Sequence, residues 1–133
     1  MVIEATNARK KILIVEDDLA LLDIYTTMIQ KAGFEIDAVK SGHEAIEKIT
    51  ETMLGDKQAP ALILLDLILP DMDGLEVLRA IRKNEATEHI KVFIMTNRQE
   101  EANAKSDIKA DKFIIKANVT PSELINLIKK ELS

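Results

Sequence analysis

The sequence predicts a single α/β domain: five parallel strands in one doubly wound sheet, covered by five helices. Three observations carry this. Short unbroken apolar runs recur along the chain, amphipathic segments lie between them, and 133 residues suffice for one core and little more. An apolar run without alternation is a strand buried on both faces, as in a parallel sheet sandwiched by helices.

The runs are Ile12 to Val15, Leu62 to Leu65, Val92 to Met95 and Phe113 to Ile115. Glu35 to Lys40 alternates more and reads as an edge strand. Leu21, Ile24, Tyr25 and Met28 follow i, i+3, i+4, i+7 spacing and predict the buried stripe of a first helix, closed by Gly33. Ser41 with Glu44 predicts a capping box, and Ala45, Ile46 and Ile49 continue its helix. Asp73 with Glu76 starts the next, with Leu75, Leu78 and Ile81 as its stripe. Thr120, Pro121 and Glu123 give a cap, a proline at the first helical position and an acid at the third. Leu124, Leu127, Ile128 and Leu132 follow. Five β-α units with right-handed crossovers fit a flavodoxin-like sheet of order 2-1-3-4-5, an order taken by analogy with doubly wound folds. Residues 1–10 read as a flexible head and residues 11–133 as the domain.

Composition narrows the function. Apolar residues make up 47% of the chain, enough for a packed core. A net charge of −5 argues against direct nucleic-acid binding, which needs a basic stripe. No apolar run approaches the ~20 residues of a membrane helix. The absence of cysteine excludes disulfides and thiolate metal sites and suits a cytoplasmic location.

Sites in open α/β sheets form at the carboxyl ends of the strands. Strand one ends in Glu16, Asp17 and Asp18, strand three in Asp66, strand four in Thr96 and Asn97, strand five in Lys116. In the proposed order, strands one, three and four are neighbours, so Glu16, Asp17 and Asp66 would meet. Their repulsion raises pKa values unless a cation intervenes. Hard oxygen donors suit Mg²⁺. An aspartate beside it can act as a nucleophile toward a phosphoryl group, with Lys116 and Thr96 neutralising and positioning. Asp18 is expected to cap the following helix instead. His43 and His89 lie outside this cluster and read as surface residues.

Ile12-Leu13-Ile14-Val15-Glu16-Asp17-Asp18, the stretch from Leu64 through Asp66 to Pro70-Asp71-Met72-Asp73-Gly74, Met95-Thr96 and Ile115-Lys116 resemble the receiver domain of two-component response regulators. The resemblance spans residues 11 to 132. It implies that Asp66 is the phosphoacceptor, Asp17 a direct Mg²⁺ ligand and Glu16 a ligand through water. The backbone carbonyl of Ile68 would be a third protein ligand, with Thr96 and Lys116 on phosphoryl oxygens and Phe113 as a switch aromatic. It also implies a phosphoryl donor, the histidine of a sensor kinase or phosphotransfer protein, and an output partner it does not name. The chain would catalyse its own modification and hydrolysis rather than turn over a substrate. Because it ends after the last helix, a stand-alone receiver is expected. A flavin or nucleotide carrier would need a glycine- or hydroxyl-rich phosphate loop where this chain has acids. An aspartate-based phosphatase would want an acid at position 68, which is isoleucine.

Three departures from the family's pattern stand out. Ala117 follows Lys116 where proline joined by a cis bond is usual, so a trans bond is expected. The stretch from Thr96 to Lys116 is about two residues short, predicting a reduced fourth helix. Lys109 stands where glycine is usual, raising the question of a left-handed backbone there. Leu19 and Leu22, off the buried stripe and beside the acids, are candidates for a partner-docking patch. Ile68 and Arg98 are expected to flank the pocket and tune water access.

Overall fold

The structure, a computed structural model, describes residues 9–55, 58–97 and 109–133. Strands β1 (Lys11–Val15), β2 (Glu35–Val39), β3 (Leu62–Asp66), β4 (Lys91–Thr96) and β5 (Lys112–Ile115) form one sheet, ordered β2-β1-β3-β4-β5. All four pairings are parallel. Helices α1 (Leu19–Lys31), α2 (Gly42–Met53), α3 (Gly74–Lys83) and α4 (Pro121–Leu132) cover it, and a 3₁₀ turn spans Lys116–Asn118. The expected helix between β4 and β5 falls on residues 98–108, outside the described residues, as do Arg98 and most of the N-terminal head.

Alternating strand residues separate the core into two layers, as the two-residue period requires. Leu13, Val15, Ile63, Leu65, Val92 and Ile94 meet Ala45 and Ile49 of α2 and Leu75, Leu78 and Ile81 of α3. Ile12, Ile14, Leu62, Leu64, Phe93 and Met95 meet Tyr25 and Ile29 of α1 and Leu124, Ile125 and Ile128 of α4. Burial of each such side chain contributes about 1.5–3 kcal/mol. This is why β3 is buried along its whole length. Edge strand β2 is covered less: Glu35 and Ala38 are exposed and Val39 alone of its residues is buried.

Local signals set the helix ends. Asp18 Oδ1 accepts from the N–H groups of Ala20 and Leu21, at 3.0 and 3.2 Å, so it is the expected cap. Gly33, at φ +99°, ends α1 in a conformation that costs a side-chain-bearing residue ~1–2 kcal/mol. Thr120 and Glu123 form the full reciprocal box. The box at Ser41 is only half made. Ser41 Oγ takes the Glu44 N–H, but the Glu44 carboxylate accepts from Lys40 N–H, one residue earlier than expected.

Two expectations about α1 need correction. Ile24 is 44% exposed, and Ile29 is fully buried in its place. The buried line runs through Tyr25 and Ile29, with Leu21, Leu22 and Met28 partly buried beside it. Ile24 lies one residue, about 100°, off its centre. Leu22, expected off the packed face, is partly buried against this core, and Leu19 is 62% exposed. At the chain's other departures, no cis peptide and no left-handed non-glycine residue occurs among the described residues. Ala117 is thus joined by a trans bond, and Lys109 needs no glycine. Its carbonyl accepts from Arg82 Nε at 2.9 Å.

Candidate functional site

The strand order places the ends of β1 and β3 side by side, in register from Ile12 with Leu62 to Val15 with Leu65. Glu16 and Asp17 directly follow β1, and Asp66 is the last residue of β3. Glu16 and Asp66 are buried, whereas Asp17 is exposed. One carboxylate oxygen from each of Glu16, Asp17 and Asp66 lies within 4.8 Å of the others.

Lys116 reaches in from the end of β5. Its ammonium lies 2.6 Å from Glu16 Oε1 and 2.9 Å from Asp66 Oδ2. The remaining oxygens are also engaged. Glu16 Oε2 accepts from Asp18 N–H at 3.1 Å, and Asp66 Oδ1 from Ile68 N–H at 3.1 Å. Asp17, Asp18, Leu21, Ile68 and Asn97 complete the lining of an open cleft above these groups. Ile68 is half exposed at its rim. Thr96 is buried at the end of β4, which pairs with β3 up to Asp66 opposite Met95. Phe113 lies on the α2–α3 face, partly buried against that core. His43 and His89 are exposed.

The electrostatics follow from burial. Loss of water pushes the Glu16 carboxyl above its ordinary range. Lys116 and the Asp18 N–H pull it back, and Asp66 pushes it up further. Repulsion was the expected cause, but burial is the larger one. For Lys116, burial is the strongest single influence and favours the neutral amine. The hydrogen bonds and charges of Asp66 and Glu16 together outweigh it, and the ammonium is held above the usual lysine value. Tyr25, packed behind Glu16 and Asp66, has its phenol pushed up by burial. Among the described residues, Lys116 pairs with Glu16 and Asp66, and Asp17 lies beside them. The donors are hard oxygens on converging, rigid strand ends, with an open side to solvent, and this fits a small divalent ion.

The profile of the response regulator receiver domain matches residues 12–129. The chain belongs to that family. The receiver domain is 31% identical over 133 residues to the chemotaxis protein CheV2 of Helicobacter pylori, covering 98% of this chain and 41% of that protein. It is 34% identical over 121 residues to the transcriptional regulatory protein ResD of Bacillus subtilis, covering 90% and 46%. The chain thus spans about half the length, or less, of these curated relatives. Among solved structures, the phosphorylated cyanobacterial phytochrome response regulator RcpA matches with a TM-score of 0.78 and 28% identity, over 92% of this chain and 91% of that one. The Mn(2+)-bound response regulator Rcp1 matches at 0.75 and 25%, over 91% and 90%. No helix of this receiver domain, among the described residues, is long and apolar enough to cross a membrane.

Sequence reasoning missed Asp71. Its carboxylate accepts from the backbone N–H groups of Gly42 and His43, at 2.9 and 2.8 Å, across 28 residues and more of sequence. Those bonds hold it below the usual aspartate range. No local spacing announces this contact.

Proposed function

We propose that this receiver takes a phosphoryl group on Asp66 from a phosphohistidine donor, a sensor kinase or phosphotransfer protein, in a Mg²⁺-dependent reaction. The observation that carries the reading is the convergence of Glu16, Asp17 and Asp66 within 4.8 Å, bridged by Lys116. The phosphorylated and Mn(2+)-bound relatives with the same fold support it.

Asp17, Asp66 and the Ile68 carbonyl would hold the ion directly, with Glu16 acting through water. The ion, when bound, offsets the negative charge of the phosphoryl oxygens. The Asp66 carboxylate attacks phosphorus and an acyl phosphate bond forms. The donor's P–N bond breaks and its electron pair returns to the imidazole, which is released neutral after proton exchange with water. Lys116 exchanges its contact with Asp66 for a phosphoryl oxygen, and the Thr96 hydroxyl donates to another. Little covalent work is left to the protein, so positioning and charge dominate. Phosphorylation then biases two surface states, with Phe113 as the moving aromatic, and an output partner reads the difference. In this reading the receiver works in the cytoplasm.

Acetyl phosphate replaces the protein donor in a direct test. With Mg²⁺, wild type is expected to gain the mass of one phosphoryl group, and Asp66→Asn none. A gain that persists in excess chelator, or an equal gain in the variant, contradicts the proposal.

A further inference from the structure

We infer that Asp71 is a positioning residue for the cation pocket, fixing from outside it the β3–α3 loop that carries Ile68. This rests on the reading of that pocket as a Mg²⁺ site. The first turn of a helix leaves its N–H groups without intrahelical partners. In α2, Ser41 Oγ takes the third of these, from Glu44, at 3.1 Å. The first two, from Gly42 and His43, go to the two carboxylate oxygens of Asp71 at 2.9 and 2.8 Å. An acid at this end also meets the favourable pole of the helix dipole.

The neighbouring residue packs against the same turn. Met72 lies so close to Gly42 that a β-carbon at position 42 would meet its Cγ at 2.3 Å and its Sδ at 2.6 Å. Gly42, whose φ is not left-handed, thus lets the Met72 side chain lie directly against the start of α2. Both ends of the loop are pinned as well. Gly74 N–H donates to the Leu67 carbonyl at 2.7 Å, and Ile68 bridges Asp73. The Ile68 N–H caps Asp66 Oδ1. Asp71 thus ties the crown of a closed loop to α2, and the base of that loop holds Asp66 and presents Ile68 to the cleft.

Groups that orient a metal's ligands from outside typically change affinity by 10–100-fold when removed. Magnesium titrations followed by amide chemical shifts test the assignment on wild type, Asp71→Ala and Asp71→Asn. The account expects Asp71→Ala to raise the Mg²⁺ Kd roughly tenfold and to speed hydrogen exchange at Gly42, His43 and Ile68. Asparagine keeps one acceptor and should fall between. A Kd within about twofold of wild type in folded Asp71→Ala, with faster exchange only at Gly42 and His43, overturns it, because a purely structural cap behaves that way. Equal weakening in both variants also overturns it, since loss of charge alone would then suffice. If wild type shows no saturable response to Mg²⁺, the reading of the pocket fails first and this inference falls with it.

Discussion

Lys116→Met is expected to lose about 3 kcal/mol of stability near neutral pH without divalent cations. Breaking a buried ion pair typically costs 3–5 kcal/mol, and the open cleft favours the lower end. Here one ammonium serves two acids, and the three side chains are only 4–9% exposed. Methionine keeps the apolar length but leaves Glu16 and Asp66 facing each other without the ammonium they share. The pH dependence has a definite sign. Lys116 is held above its ordinary value, so its contribution is complete below that value and fades as pH rises through the folded one. Glu16 is also raised, so its folded form favours the proton. Stability from that source is greatest in acid and lost as pH rises through the raised value. Removing Lys116 removes what pulls Glu16 down. The variant should therefore regain stability toward acid, on the low-pH side of neutrality, while wild type changes less. Mg²⁺ should recover part of the loss at neutral pH. Urea denaturation at two pH values, with and without Mg²⁺, reads all of this. A loss under about 1 kcal/mol contradicts the account.

Gly74→Ala is the second large effect, and it arises from space rather than backbone freedom. A β-carbon at position 74 would lie 2.3 Å from the Asp66 carbonyl oxygen and 2.7 Å from Leu67 Cα. Both are backbone atoms at the end of a fully buried strand, and they cannot swing aside as a side chain can. Overpacking costs about 1–3 kcal/mol, and the upper end is expected. The strand end that moves is the one carrying Asp66. A misplacement near 1 Å can slow a positioned reaction ~100-fold, so labelling by acetyl phosphate should fall by about that factor. Gly33→Ala provides the contrast. It has open space around it but φ +99°, so it should lose ~1–2 kcal/mol and keep its labelling rate. Similar labelling in both variants, corrected for folded fraction, would contradict the argument.

What could be read from the sequence was local or governed by a general rule of topology. The strands declared themselves because Ile12 to Val15 and Leu62 to Leu65 are apolar without alternation, and both faces of the sheet are indeed covered. Asp18 and Thr120 were legible because a cap acts within three residues. Glu16, Asp66 and Lys116 could be brought together because strand ends share one edge of the sheet. The grip of Lys116 on Glu16 as well as Asp66 needed coordinates, since strand order fixes neighbours but not side-chain direction. Helix phase was less legible. Ile24 and Ile29 each fit some apolar stripe through Tyr25, and only packing against β1 and α4 chooses Ile29. The Asp71 contact was invisible because its partners lie a whole crossover away. The expected helix between β4 and β5, and Arg98 with it, fall outside the described residues.

The location of the phosphoryl group tests the central claim most directly. After acetyl phosphate and Mg²⁺, borohydride reduction converts an aspartyl phosphate to homoserine, which peptide mass mapping locates. The account predicts homoserine at Asp66 alone, and none when Mg²⁺ is withheld. Homoserine at another acid, or modification at Asp66 that ignores the metal, would contradict it.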